Sequence, residues 1–550
     1  MIGVLCKEEE KEIAQEFFEL FKTPWEFFGE GRHYDVVIST LREIPALNTA
    51  LFILYSSEPT QFDGLERIAI NHVVSPSYIY HDGMGLPIYG DLVIFCCQGQ
   101  PLLYNQSSSE AVAVKFTGPQ GHNLRVGYDL FHEAAFLLSE GQPVENALTP
   151  TLELHISMLR DWILNAGIPL VEIPPVPWGY RFISCLTHDV DFAGIRLHKL
   201  DHTMWGFVNR ALVGSFLGFL KGTRSLVQMM KNWTAVFSLP LVYIGIAKDF
   251  WDDFERYAEI EEGLSSTFFF IPFKNRPGKM VKGDRSAWRA TRYDISDIKV
   301  QIKKLIKRGS EIGLHGIDAW HNAEKGRQEI ERIIEVTGRR EIGVRMHWLC
   351  FDHHSPSILE QAGFDYDSTV GYNETIGYKA GTAQVYRFLG VTRLLELPLH
   401  IQDTALFYPN RLALTRAQAW DMCGSIINAA IRFGGVTTVL WHQRSLAPER
   451  LWDKFYINLL QELKSQDTWF GTASQVVQWF RQRRSVTFED CSYISNKVRL
   501  RLRCQGGISR PRMFLRIHKP QKAGPVRSYA EHGHFDLPYS GESLMEIALD

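Results

Sequence analysis

No apolar run in this chain reaches the ~20 residues that a helix needs to cross a bilayer. The nearest, Ala211 to Leu220, is short and bounded by Arg210 and Lys221. Cysteine is sparse: the eight residues Cys6, Cys96, Cys97, Cys185, Cys350, Cys423, Cys491 and Cys504 include no CxxC pair and no regular spacing. That excludes a zinc knuckle and a disulfide scaffold, and most of these thiols are expected as small buried apolar groups. Charge of one sign is not in excess either, with 59 Lys+Arg against 62 Asp+Glu. A broad basic surface, and with it a dedicated nucleic-acid binder, is therefore not expected. The opening MIGVLCKEEEKEIAQEFFELF turns acidic early and lacks the basic start and unbroken apolar core of a signal peptide, so a cytoplasmic, reducing location is expected. There is no tandem repeat or low-complexity tract.

What is present is an ordinary globular composition, 45% hydrophobic and 22% charged over 550 residues, enough for three to four domains at ~150 residues each. From Asp35 to about Leu103, β-rich runs such as DVVIST, TALFILYS and DLVIFCC alternate with turn clusters, which predicts a small α/β or mostly β unit. Helical spacing follows over Tyr128 to Glu140 and Thr151 to Ala166, and the Pro-rich IPPVPWGYRF reads as a linker, so a boundary is placed near Ile173. Beyond it, the apolar runs RFISCL, STFFFIP, EIGLHG, EIGVRMHWL, LLELPL and VTTVLWH alternate with helical patterns at Ile295 to Arg308, Asn322 to Val336 and Ser355 to Ala362. Strands alternating with helices imply parallel βαβ units. A long insertion at about 198–265, rich in Trp, Phe, Leu and basic residues, reads either as helices packed on the barrel or, over 205–231, as an amphipathic face touching a membrane. From Ser485 onward, alternation as in KVRLRLRC predicts a small β-rich end.

The polar residues fall at strand ends, where parallel sheets and barrels carry their active sites. Asp189 and Asp191 in THDVD share one side of an extended chain. His315, with Asp318 and His321 after it, follows an apolar strand, and imidazoles with a carboxylate suit zinc and related ions. Arg345 and His347, one residue apart, face the same way if GVRMHWL is a strand. Arg345 has the plain alternative of pairing with a structural carboxylate. His442 ends VTTVLWH and is placed either as a general acid or as a structural histidine.

In this order, THDVD, STFFF, GLHGIDAWH, GVRMHWL, YDSTVGYNETIGYKAGT, LELPLHIQD and LWHQRS resemble the NodB-homology polysaccharide deacetylases over roughly Arg181 to Arg484. YDLFHEAAFLLSE and the helix after it resemble the N-terminal extension of a bacterial subgroup of that family. The resemblance implies an α/β chain: a distorted (β/α) barrel over 174–484, preceded by an N-terminal α/β extension (1–173) and followed by a small C-terminal β segment (485–550). It implies a divalent metal, zinc first, with Asp189 as catalytic base, Asp191 and His315 as metal ligands, Arg345 orienting the base and His442 as general acid. One departure matters: the family's His-x-x-x-His places its second histidine where this chain has Ala319. His347, His321 and Asp318 are the candidate replacements, and strand geometry favours His347. Asp318 has the alternative of binding substrate or supporting a ligand.

The expected activity is metal-dependent removal of an N-acyl group, N-acetyl first, from an amino sugar in envelope or exopolysaccharide synthesis. The expected partner is an amino-sugar or polysaccharide precursor, with a lipid-linked sugar at the inner membrane face as its membrane-surface form. A deformylase on a lipid-linked amino sugar and a non-catalytic carbohydrate-binding protein are the alternatives. A glycosyltransferase use of Asp189 and Asp191 leaves His315, Arg345 and His442 without a common role. Trp320, Trp348 and the tyrosines of YDSTVGYNETIGYKAGT are candidates for a sugar-stacking wall, with core packing as the other reading.

Overall fold

The computed structural model describes residues 1–549 except 46, 82, 97–98, 119–120, 282–289, 495, 507–509 and 521–532. Cys97 lies outside the described residues; of the other cysteines, all free, Cys185, Cys350, Cys423 and Cys491 are buried.

The apolar runs beyond residue 174 form parallel strands: β1 Ile183–Val190, β2 Ser266–Phe270, β3 Glu311–Gly316, β4 Val344–Met346, β5 Tyr366–Asp367, β6 Leu395–Glu396, β7 Ile401–Gln402 and β8 Val436–Leu440. β1, β2, β3 and β8 are buried along their whole length, which is why they read as continuous apolar runs rather than as alternation. The order is sequential from β1 to β6, while β8 pairs with β1 and β7 with β8. The stretch 395–402 joins the two edges, with residues 383–387 beside it: Val436 N–H donates to the Ala383 carbonyl (2.7 Å) and Tyr386–Arg387 pairs antiparallel with β6. On one side Leu397 N–H donates to the Asp367 carbonyl (2.8 Å) and Leu399 N–H to that of Val370 (2.9 Å). On the other, His400 N–H donates to the Thr438 carbonyl (3.2 Å). The sheet thus curls into a distorted (β/α) barrel whose seam is spanned by residues 383–387 and 395–402.

Residues up to Glu172 build a separate layer. Ile2–Leu5, Trp25–Phe27, Val36–Ser39, Leu51–Tyr55 and His122–Val126 run parallel, and the strands from Ala69–Val74 to Ala111–Thr117 add antiparallel pairs. Helices Lys11–Phe21, Leu130–Ser139 and Thr151–Asn165 supply Phe17, Phe18, Phe131 and Leu159 to its core. This layer is fastened to the barrel by buried polar contacts. The Glu16 carboxylate accepts both Arg484 Nη atoms (2.8 and 2.6 Å), and Glu153 accepts from Thr382 Oγ1 (2.6 Å) and the Ala383 N–H (3.0 Å).

The C-terminal strands do not stand apart. Leu170–Glu172 pairs antiparallel with Met513–His518, which pairs with His534–Tyr539, while Val486–Ile494, Lys497–Cys504 and Leu544–Ala548 form a second three-stranded sheet. The Glu172 carboxylate, buried between Arg160 (2.5 and 2.7 Å) and His518 (2.8 Å), locks that crossing.

One glycine sets the spacing between β4 and β5. A Cβ at Gly343 would stand 1.9 Å from Cζ of Tyr366, a fully buried ring whose hydroxyl donates to Glu311 (2.8 Å). Gly343→Ala is therefore expected to destabilise the chain by about 2–3 kcal/mol, as overpacking does in a filled core. Urea denaturation reads this directly, and an unshifted midpoint would contradict the close approach.

Candidate metal and catalytic site

β1, β3, β4 and β8 deliver their C-terminal ends to one cleft of about 550 Å³. Its lining includes Asp189, Asp191, His315, His347 and His442. Three donors converge there: one ligand atom from each of Asp191, His315 and His347 lies within 4.8 Å of the others. Asp191 Oδ1 is 3.4 Å from Nε2 of His315 and 3.4 Å from Nε2 of His347. That oxygen is buried and has no hydrogen-bond partner.

The ring of His315 is oriented for ligation by a backbone carbonyl. Its Nδ1–H donates to the Arg345 carbonyl (2.9 Å), which leaves Nε2 as the bare nitrogen facing the two aspartates. Two imidazoles and an acceptor-only carboxylate oxygen without a hydrogen bond are the donor set of a divalent ion such as zinc, so these residues fit the implied metal. Burial works to raise the Asp191 carboxyl, but the imidazoles of His315, His347 and His442 hold it well below the usual carboxylate range.

Arg345 is fully buried over the Phe269 ring, at 4.7 Å from its centroid. Its Nη1 donates to Thr187 Oγ1 (2.7 Å) and Asp189 Oδ1 (3.2 Å), Nη2 to Ser368 Oγ (2.8 Å) and Nε to the Ser368 carbonyl (2.9 Å). One oxygen of Asp189 is thereby fixed, and the other lies 3.8 Å from His315 Nε2. His442 Nδ1–H donates to Asp403 Oδ1 (2.7 Å), while its own backbone N–H donates to Asp403 Oδ2 (2.7 Å). Burial alone would lower His442, yet the Asp403 carboxylate, with Asp191 and Asp189 beyond it, raises it to about 9. At neutral pH it is a proton donor whose Nε2 faces the cleft, 4.0 Å from Asp191.

Of the six residues expected from the sequence, Asp189, Asp191, His315, His347 and His442 line this cleft, and Arg345 stands buried behind it on Asp189. His321 and Asp318 do not. The buried Glu329 accepts the backbone N–H groups of Ile317 (3.0 Å) and Asp318 (2.8 Å), which turns the loop outward. Asp318 is then engaged by His321 Nε2 (3.0 Å), Lys325 Nζ (3.1 Å) and the Lys279 N–H (2.9 Å), in a pocket apart from the cleft. His347 reaches the site from the turn after β4, where Trp348 and Leu349 take left-handed backbone (φ 65° and 52°). That kink leaves Trp348 on the cleft wall, 39% exposed.

The rest of the aromatic wall is corrected. Trp320 is 4% exposed and packs in the core. Tyr366, Tyr372 and Tyr378 are buried, and the last two donate to backbone carbonyls of Gln142 (2.7 Å) and Ile426 (3.2 Å). Sequence reading missed Asp403 as the partner of His442. It closes the LELPLHIQD motif, and only the pairing of β7 with β8 brings it to the histidine.

No family model matches this chain, and no curated protein matches it. Among solved structures it is similar to a protein of Mycobacterium smegmatis assigned as a polysaccharide deacetylase (20% identity, TM-score 0.34, 56% of this chain and 95% of that one). It is similar also to one of Pseudomonas aeruginosa PAO1 with the same assignment (13%, 0.35, 58% and 97%) and to PuuE allantoinase (13%, 0.34, 56% and 92%). The neighbours include polysaccharide deacetylases. They bear the family name that the motif order resembles, and no activity follows for this chain from likeness at that level.

Elemental analysis of the full chain, purified without chelators, is expected to find about one equivalent of a divalent ion. Asp191→Ala, His315→Ala and His347→Ala should each lose it, and His321→Ala should keep it. Metal retained in His347→Ala would overturn the ligand set.

Proposed function

We propose that this protein is a metal-dependent hydrolase that removes an N-acyl group, N-acetyl first, from an amino sugar. The observation that carries the reading is the convergence of Asp191, His315 and His347 within 4.8 Å, beside an Arg-held carboxylate and an Asp-held imidazole. A zinc-like ion, when bound, supplies Lewis acidity toward an acyl carbonyl and lowers the pKa of water toward ~7. The chain's own groups do the proton work. Asp189, with Oδ1 held by Arg345, accepts the proton of the attacking water on Oδ2. His442, charged at neutral pH, donates its Nε2 proton to the departing amine, so the acyl group leaves as a carboxylic acid and the sugar as a free amine. Asp403 keeps the ring aimed throughout. A polyol fits the remaining walls, since Asn373, Gln402, Thr404 and Asn410 offer amides and hydroxyls beside the exposed face of Trp348.

A membrane-borne sugar is the favoured form of that substrate, because the insertion exposes apolar stripes. Val213, Phe216, Leu217 and Leu220 on one arm, and Val227, Met230, Phe237, Leu241 and Ile244 on the other, are 43–70% exposed, mostly at three- and four-residue spacing. Between Asp201 and Asp249 the chain has no acidic residue, whereas Arg210, Lys221, Arg224, Lys231 and Lys248 are basic. Such a face suits an anionic bilayer surface. Among the described residues no helix is long and apolar enough to cross a membrane.

Two measurements test these readings. Release of acetate from N-acetylated amino sugars should fall by about 10²–10⁴ in His442→Ala and Asp189→Asn while metal content stays near one equivalent; turnover unchanged in both removes the assigned roles. In flotation with vesicles of phosphatidylcholine and phosphatidylglycerol, the wild-type chain should float and the double variant Val227→Glu, Phe237→Glu should not. Equal behaviour of the two would refute the membrane face.

A further inference from the structure

At the end of the cleft beyond His442, three arginines gather. Arg444 lies 3.9 Å over the Trp251 ring and 4.9 Å from that of Phe192, and its Nε donates to Glu449 (2.8 Å). Arg450 lies over the rings of Tyr408 (5.4 Å) and Trp452 (5.0 Å), and its Nη1 donates to Ser445 Oγ (3.2 Å). Arg210 comes from the insertion and is exposed. Among the described residues only Arg444 of the three has a carboxylate at ion-pair distance. Arg210 and Arg450 thus stand without a carboxylate at ion-pair distance, the nearest further anion being the buried Asp403 behind Ser445.

The positive field is felt by the groups within it. Tyr408, on the same wall, is held below its ordinary value first by Arg450, and Arg444, Arg210 and His442 add to this although burial works the other way. Arg444 is lowered to about 10, chiefly by burial, with Arg450 and Arg210 adding their repulsion against the attraction of Glu449. Like charges packed together repel, an entering anion relieves that repulsion, and stacking on aromatic faces holds Arg444 and Arg450 in place for one.

We infer that Arg210, Arg444, Arg450 and Tyr408 form a subsite for a phosphoryl group of the substrate. Guanidinium forks match phosphate oxygens in pairs, and a phosphomonoester or a diphosphate, at about −2, suits two guanidinium groups that lack a carboxylate at ion-pair distance better than a single carboxylate does. The position also fits. Arg450 reaches Ser445, Ser445 donates to Asp403, and Asp403 holds the ring of His442, so the anion sits next to the proton donor in the same cleft. The inference rests on the proposed reading of the cleft as the amino-sugar site and specifies its substrate as a sugar that carries phosphate. Because Arg210 continues the helix that bears Trp205 and leads into the apolar stripe of Val213 and Phe216, a phosphate shared by sugar and lipid would lie where cleft and stripe meet.

The test is calorimetric titration of inorganic pyrophosphate into the chelator-treated full chain, with D-glucuronate as a carboxylate control. Saturable binding of pyrophosphate alone is expected, weakened roughly tenfold or more in Arg450→Gln and again in Arg210→Gln. Arg210 is exposed, so its variant is expected to fold, and unchanged melting temperature and metal uptake verify this. No saturable binding, wild-type affinity retained in both variants, or binding that appears only when metal is restored overturns the subsite. Metal content measured on the untreated chain separates the two readings: a chain with its metal but without pyrophosphate affinity loses this inference alone. A chain that binds pyrophosphate but never metal keeps the subsite and loses the hydrolase. Vesicles of phosphatidylcholine with and without phosphatidic acid then assign the source. Competition by pyrophosphate on the acidic vesicles points to a lipid headgroup, and pyrophosphate binding without such competition points to a soluble sugar phosphate; both uphold the site.

Discussion

Arg345 holds the site together from two ends of one residue. Its guanidinium fixes Asp189, and its main-chain carbonyl takes the Nδ1 proton of His315, so the orientation of the proposed base and the tautomer of the proposed ligand depend on the same strand. The register of β3 against β4, with His315 opposite Arg345, makes this possible. A slip of either strand by one residue would turn its own side chain, His315 or Arg345, away from the cleft. A buried guanidinium needs a defined counter-charge. Nearby, burial pushes Asp367 up to about 7 and raises its cross-strand neighbour Glu396 further, so this pair retains a proton. Asp189 is left as the carboxylate that answers the arginine at ion-pair distance.

Much of this was legible because the chemistry sits on strands. Asp189, His315 and Arg345 each follow or end an apolar run, and period-two alternation is enough to aim them. What failed to show were the features set by loops and by distant pairing. Asp403 is 39 residues from His442, and nothing local marks it as a partner. His321 looked eligible on spacing, but Glu329 reaches back from the following helix and pulls its loop outward. The tyrosines of YDSTVGYNETIGYKAGT resembled a sugar platform because aromatic residues in a polar stretch carry no sign of what covers them. Here the N-terminal layer covers Tyr372 and Tyr378, through Gln142 and Ala147. The C-terminal strands were visible as strands, while their pairing with Leu170–Glu172 was a long-range event that composition does not encode.

The insertion between β1 and β2 links surface to chemistry. Its inner side reaches the cleft through His198, His202, Thr203 and Arg210, and its outer side is apolar. The inner contacts are anchored. Asp249 accepts the N–H groups of Ile195 (3.0 Å) and Arg196 (3.0 Å), and the Tyr243 hydroxyl donates to the His198 carbonyl (2.6 Å). An element tied so closely to the strand end of Asp189 and Asp191 cannot shift without disturbing the cleft wall.

The position four residues after His315 is Ala319, wholly buried in the core, and a histidine side chain there would have to displace packed neighbours to reach the cleft. The third candidate donor stands instead beyond β4, so that Asp191, His315 and His347 hang from β1, β3 and β4. A pair of ligands on one loop would pin that loop alone. Donors drawn from three strand ends make ion binding depend on the spacing of the barrel itself, including the approach of β4 to β5 that Gly343 permits. An ion that binds only the folded arrangement stabilises it by mass action. The consequence is that barrel closure and ligand geometry form one cooperative unit, with the left-handed turn at Trp348 and Leu349 as the local strain that brings His347 into it.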